Sequence, residues 1–209
     1  MSQSTPDTRR ERKKAEMQLH IMQSAMNLFR VKGFENTTME AIAEAADVAK
    51  RTLYSYFPAK EALVSAYWLN NVRQKSDLLP LLLESYPDTR SRLIAVFLSA
   101  AEGFNAEPEF ARIHFSYQFQ QIGSSKNPQL GSAFVKFLSV VIEAGQREND
   151  IRNDITATAL AIQIMLNFTA ICLMWFSDPE SFSLDERLTH AVNCFIDGAG
   201  KMKGGIRED

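Results

Sequence analysis

The sequence predicts an all-α protein of about nine helices. Three observations carry that prediction. Apolar residues recur at three- and four-residue spacing along most of the chain, which marks one face of a helix. No stretch alternates apolar and polar residues with period two, so no strand is predicted, and there is no internal repeat. Turn-forming residues are sparse after Leu63, and prolines sit where helical runs stop. The 209 residues are 45% hydrophobic, a globular rather than a disordered composition. That length admits one or two domains with their own core.

Residues 1–8 are polar and predict no structure. A basic run of Arg9, Arg10, Arg12, Lys13 and Lys14 then leads into the first helix, whose apolar face is Met17, Ile21, Ala25, Leu28 and Phe29. Gly33 ends it. Cations at a helix start oppose the helix dipole. An arm reaching a nucleic-acid backbone or minor groove explains the run better than a solvated helix start.

A short helix begins at Thr37 or Thr38, where Thr37 and Glu40 have the spacing of a capping box. Met39, Ile42, Ala43 and Ala46 make its apolar face, and Asp47 and Val48 break it. A second short helix runs from about Lys50 to Phe57, with Leu53 and Phe57 one turn apart and buried together. Pro58 stops it, because the residue before proline is pushed out of helical geometry. Lys50, Arg51, Thr52, Ser55, Tyr54 and Tyr56 lie between the buried positions, with no acid among them. Cations suit phosphates, and hydroxyls suit base edges in a major groove. Two short helices joined by a tight turn, the second acting as reader, form a helix-turn-helix.

The stretch KGFENTTMEAIAEAADVAKRTLYSYFPAKEAL resembles the signature of the tetracycline-repressor (TetR) family of transcriptional regulators. The matching residues run from Ile21 and Met22 through Leu28, Phe29, Gly33, Phe34, Thr37, Thr38, Ile42, Ala43, Val48, Thr52, Leu53, Tyr54, Tyr56, Phe57, Lys60 and Leu63. Two positions depart from the family pattern. Asp47 stands where the family usually has Gly, and Asp tolerates left-handed geometry. Ala49 stands where the family has Ser, which removes a helix cap and a phosphate contact. The resemblance implies a helix-turn-helix domain over 1–63 with a basic arm, and a helical effector-binding and dimerisation domain over 64–209. Thr38, Tyr56 and Lys60 are then expected at phosphates, by resemblance and by their position at helix starts. Lys50, Arg51, Thr52 and Tyr54 are expected at or near bases, with Ser55 beside them and Arg9, Arg10 and Arg12 on the arm.

Beyond Leu63 the predicted helices are Ala62 to Leu79, ended by Pro80 and extended past a kink by Leu81 to Tyr86; Thr89 to Phe104; Pro108 to Ile122; Pro128 to Asn149; Ile155 to Phe176; and Leu184 to Ala199. Ala159 to Phe176 is an 18-residue run without charge, at the lower limit for a membrane span. Gln163 and Asn167 interrupt it and no basic flank follows, so no membrane segment is predicted. A helix buried on nearly all sides is predicted instead, which in so small a protein calls for a partner subunit. With Leu188, Val192, Phe195 and Ile196 of the last helix it would form a four-helix interface in a two-fold homodimer. In the resembled family the last two helices do this. A dimer presents two reading helices to a palindromic double-stranded DNA operator.

The middle helices hold Phe97, Phe104, Phe110, Phe115, Tyr117, Phe119, Phe134 and Phe137. These read as ordinary core or as a pocket for an apolar or aromatic small molecule. The resemblance favours a pocket, since the family binds effectors in this region. The candidate ligand-binding residues are Phe104, Phe110, Phe115, Phe119 and Phe137, with Arg112, His114, Gln118, Gln163 and Asn167 as polar groups. A core role for His114, and a hydrogen bond across helices for Gln163 and Asn167, are the plainer alternatives.

Net charge is −2, but residues 1–63 carry ten Lys/Arg and eight Asp/Glu (+2), leaving thirteen and seventeen (−4) for the rest. Basic charge is thus concentrated at the front, as a nucleic-acid binder requires. Cys172 and Cys194 make no disulfide framework or metal pair and read as buried thiols of a reducing compartment. No apolar segment follows the basic start, so a cytoplasmic protein is expected. There is no HExxH, no paired His/Cys set, no phosphate loop and no nucleophile motif, so no cofactor, metal or catalytic residue is expected. The function these features predict is a ligand-responsive repressor. The alternative is a helical small-molecule binding protein or small enzyme without DNA binding.

Overall fold

The computed structural model describes residues 6–121 and 132–199. The described residues form ten helices and no strand. They divide into two compact units after Trp68.

The first unit holds α1 (Pro6–Lys32), α2 (Met39–Ala45), α3 (Lys50–Tyr56) and the start of α4 (Lys60–Ser76). Ile21, Met22, Ala25, Met26 and Phe29 form the buried face of α1. They pack in one core with Ile42, Leu53, Leu63 and Val64, all fully buried. Gly33 takes φ +84°, open to glycine at no steric cost, and donates its N–H to the Phe29 carbonyl at 2.9 Å. Arg9 to Lys14 lie within α1 and not on an extended arm. Pro6 suits the first turn, where its missing N–H costs nothing, and Arg12 pairs with Glu16 at 3.5 Å one turn on.

The expected capping box is not formed. Thr38 is the cap of α2 and its hydroxyl accepts from the Ala41 N–H at 3.1 Å. Thr37 is 1% exposed and donates its hydroxyl to the Gly33 carbonyl at 2.8 Å. The spacing was right for a cap but one residue early, because Thr37 is needed to hold the end of α1.

The second unit holds the end of α4, then α5 (Leu79–Ser85), α6 (Thr89–Ala106), α7 (Pro108–Gln121), α8 (Ser132–Glu148), α9 (Ala157–Ser177) and α10 (Leu184–Ala199). Pro80 does not end a helix. It sits in the first turn of α5, where proline is tolerated, and the break falls earlier, before Leu79. The expected loop at 123–128 and the expected helix start at Pro128 lie outside the described residues. Leu93, Phe97, Leu138, Val141, Ile142, Ile164, Leu188 and Val192 form the fully buried centre of α6, α8, α9 and α10.

A polar joint fixes the start of α6. Asp88 caps it through the Ser91 N–H at 2.7 Å, and Asp150 accepts from the Thr89 N–H at 2.8 Å and hydroxyl at 2.9 Å. Gly145 is required there, since a Cβ would lie 1.9 Å from Thr89 Oγ1 and 2.5 Å from Asp150 Oδ1. Arg92, 4% exposed, pairs with Glu148 and donates to the carbonyls of Leu83 and Tyr86, both at 3.0 Å. A buried guanidinium thereby satisfies carbonyls that the end of α5 leaves open.

Candidate functional site

The turn between α2 and α3 works as the sequence predicts. Asp47 takes φ +49°, the left-handed geometry that a short polar side chain tolerates. Val48 closes the turn by donating to the Ala43 carbonyl at 2.9 Å. Ala49 precedes α3 with extended backbone and gives no side-chain cap. His20 of α1 reaches the Ala46 carbonyl at the end of α2, with 3.1 Å from its Nε2.

Leu53 of α3 (0% exposed) and Phe57, the residue that caps its end (6%), turn into the core. The opposite face carries Lys50, Arg51, Tyr54 and Ser55, all exposed, with Thr52 and Tyr56 half-buried at its margins. Tyr54 is 47% exposed although aromatic, a ring offered to solvent. Thr38 at the start of α2 is also exposed. Besides Thr38, whose hydroxyl caps α2, three side chains of this region have prior commitments. Ser55 donates its hydroxyl to the Thr52 carbonyl at 2.7 Å, so its oxygen is left to accept. Lys60 is half-buried, donates to the Phe34 carbonyl at 2.7 Å and lies 4.4 Å from the centre of the Phe34 ring. Lys50 meets Glu40 of α2 at 3.3 Å. That contact was not foreseen, because the two residues lie on different helices and only the turn brings them together.

The aromatic cluster in the second unit is real but its membership differs from the sequence expectation. Phe97 and Phe104 of α6, Phe115 of α7, Phe134 of α8, and Phe168 and Phe176 of α9 form a connected set. Phe168 stands at its centre, 4.7 Å from Phe97, 5.3 Å from Phe134 and 6.3 Å from Phe115. Phe104 and Phe115 meet edge to face at 5.4 Å. Phe168 and Phe176 escaped the sequence reading because they sit in a run so uniformly apolar that no face stands out. His114 is half-buried, edge-on to Phe115 at 5.3 Å, and burial pushes its pKa down to about 4, so the ring is neutral at pH 7. Phe110 and Phe137 are buried, and Gln118 is half-buried. Arg112 is exposed and Phe119 is 60% exposed, so neither points into the cluster.

Gln163 and Asn167 do not face this cluster. α9 turns Phe168 toward the cluster and these two amides to solvent. They line a groove of about 450 Å³ with Leu160, Ile171, His190, Cys194 and Phe195. Cys194 is exposed there and not buried as expected; its Sγ lies 3.3 Å from His190 Nε2, whereas Cys172 is buried. Nor is α9 buried on nearly all sides in the single chain. Its inner face packs against α8 and α10, but Ile162 (43%), Leu166 (51%) and Met174 (64%) remain open.

Residues 21–67 match the family model described as bacterial regulatory proteins, tetR family. Over 181 residues the chain is 22% identical to the HTH-type transcriptional repressor KstR2 of Rhodococcus jostii, covering 85% of this chain and 88% of that one. Among solved structures it resembles the TetR-family repressor FadR of Thermus thermophilus in complex with lauroyl-CoA. That match has a TM-score of 0.75 and 20% identity, over 92% of this chain and 100% of that one. It also resembles FadR of Bacillus subtilis in complex with stearoyl-CoA, with a TM-score of 0.62 and 15% identity over 86% and 98%.

Proposed function

We propose, on the premise that the chain belongs to the TetR family of transcriptional regulators, that α3 reads a palindromic operator in the major groove for a homodimer that an apolar effector releases. The observation that carries this is the division of α3. Leu53 and Phe57 anchor it inside, while Lys50, Arg51 and Tyr54 are held outward on a rigid element. Lys50, Arg51, Thr52 and Tyr54 contact bases or their neighbours, with Ser55 accepting. Thr38, Tyr56 and the arginines Arg9, Arg10 and Arg12 of the helical extension face phosphates. Lys60 reaches a phosphate with the donors its Phe34 contact leaves over.

The open stripe of Ile162, Leu166 and Met174, continued by the groove against α10, supports dimerisation through α9 and α10. Gln163 and Asn167 belong to that interface and not to the effector site. The effector enters among Phe104, Phe115, Phe134, Phe168 and Phe176. A phenylalanine-lined core with a neutral His114 suits a long apolar chain better than a charged molecule. The acyl chain of a fatty-acyl thioester fits this lining, with its charged head group held outside the cluster, and the acyl-CoA complexes of the similar FadR structures support that class. α4, which continues from the reading unit into the effector unit, transmits the change. An effector can do so only by binding the two arrangements unequally. The protein acts in the cytoplasm, without a catalytic role.

Selection of bound sites from a random duplex pool tests the reading. Enrichment of a palindrome, lost on adding long-chain acyl-CoA, is expected. A pool that stays random after repeated rounds would overturn it.

A further inference from the structure

We propose that Glu40 sets the specificity of the reading head by holding Lys50, so that this lysine serves one position on the operator instead of any nearby phosphate. The inference rests on the DNA-reading assignment above. Glu40 follows the Thr38 cap by two residues in α2, and Lys50 is the first residue of α3. Their ion pair, 3.3 Å long, bridges the two helices across the Asp47 turn. Both side chains stay largely in solvent, at 51% and 64% exposure, on the surface that also presents Thr38, Arg51 and Tyr54.

A carboxylate at this place works against plain affinity. Any duplex docking on α3 brings phosphates toward it, and like charges repel whatever the sequence. Stability does not explain it either, since exposed ion pairs contribute little. The carboxyl is held below its ordinary range, first by a backbone N–H at the helix start and then by Lys50, so Glu40 stays charged across the neutral range. Its effect therefore falls on Lys50. An untethered lysine is a flexible cation that satisfies any phosphate within reach. Tethered, it is spent unless the base sequence offers an acceptor worth the exchange. Arg51, which has no ion-pair partner among the described residues, remains the general cation of this helix start. Discrimination then comes from a penalty on wrong sites as much as from a gain at the right one.

Glu40→Gln in the full chain, with affinity for the selected palindrome and for a scrambled duplex followed against salt, tests this. Binding to scrambled duplex should strengthen about three- to tenfold, and its salt dependence should steepen by about one per reading head. The palindrome-to-scrambled ratio should fall. In a Lys50→Met background the Glu40→Gln effect on the palindrome-to-scrambled ratio should disappear, leaving only the smaller, sequence-independent gain from the lost repulsion. An unchanged ratio and slope would overturn the proposal. So would a Glu40→Gln effect that survives in full without Lys50, which would assign Glu40 to direct repulsion or to a base contact of its own. Wild-type protein that binds neither duplex would instead refute the DNA-reading assignment beneath it.

Discussion

Leu166→Glu tests the proposed dimer face at one residue. Leu166 lies on the open stripe of α9 and is 51% exposed in the single chain. Fully burying a leucine side chain contributes ~1.5–3 kcal/mol, so covering the exposed half contributes about 1 kcal/mol per copy and about 2 across a two-fold axis. A glutamate there forfeits that gain and adds at least about 2 kcal/mol for two carboxylates desolvated in an apolar contact. The sum, ~4 kcal/mol, weakens dimerisation by about a thousandfold. Sedimentation equilibrium over nanomolar to micromolar concentrations reads this directly. Leu81→Glu is the control, because Leu81 on α5 is equally open at 59% yet lies off this face. A dimer unmoved by Leu166→Glu, or moved as much by Leu81→Glu, would refute the assignment of the interface to α9 and α10.

Gly145→Ala should destabilise the second unit by ~1–3 kcal/mol, because its Cβ would press on Thr89 and Asp150 at the start of α6; urea unfolding that shifts by less than the measurement error would contradict the close approach. Lys60→Met should lower stability of the first unit by about 1 kcal/mol through the lost bond to the Phe34 carbonyl. It should also weaken binding to all duplexes alike; an unaltered salt slope would remove its phosphate contact. His114 gives a pH dependence of fixed sign. Its folded pKa of about 4 lies below the ordinary 6.5, so the unfolded chain binds the extra proton between these values. Stability is thus full above 6.5 and falls toward pH 4, by ~2 kcal/mol after discounting a half-buried ring. His114→Leu should flatten that limb of the thermal-stability profile, and a profile identical to wild type would show that another group carries it.

The helix-turn-helix was legible because local chemistry decides it. A left-handed Asp47, an uncapped Ala49 and the Leu53–Phe57 pair are each fixed within a few residues of sequence. What failed depended on tertiary choices. Thr37 carries cap chemistry but is drawn inward to Gly33, leaving Thr38 to cap. Pro80 reads equally well as a stop or a start, and only the packed chain chooses the start of α5. The face of α9 could not be read from composition, since nearly every position is apolar. Gln163 and Asn167 were therefore assigned inward with the aromatics, while Phe168 and Phe176 were overlooked. Cys194 is exposed although it adjoins the buried Phe195 and Ile196, because α10 turns only part of its surface inward and adjacent residues need not share that face. The Lys50–Glu40 pair is invisible in sequence because nothing in either helix alone requires it.

In the proposed complex two outward-facing copies of α3 engage one duplex together. Fluorescence anisotropy with the selected palindrome, with a single half-site and with a palindrome whose halves are displaced by half a helical turn measures this most directly. The intact palindrome should bind at least a hundredfold more tightly than either of the others, and Tyr54→Ala should cost it ~1–3 kcal/mol. Equal affinity for all three duplexes, or indifference to Tyr54→Ala, would contradict it.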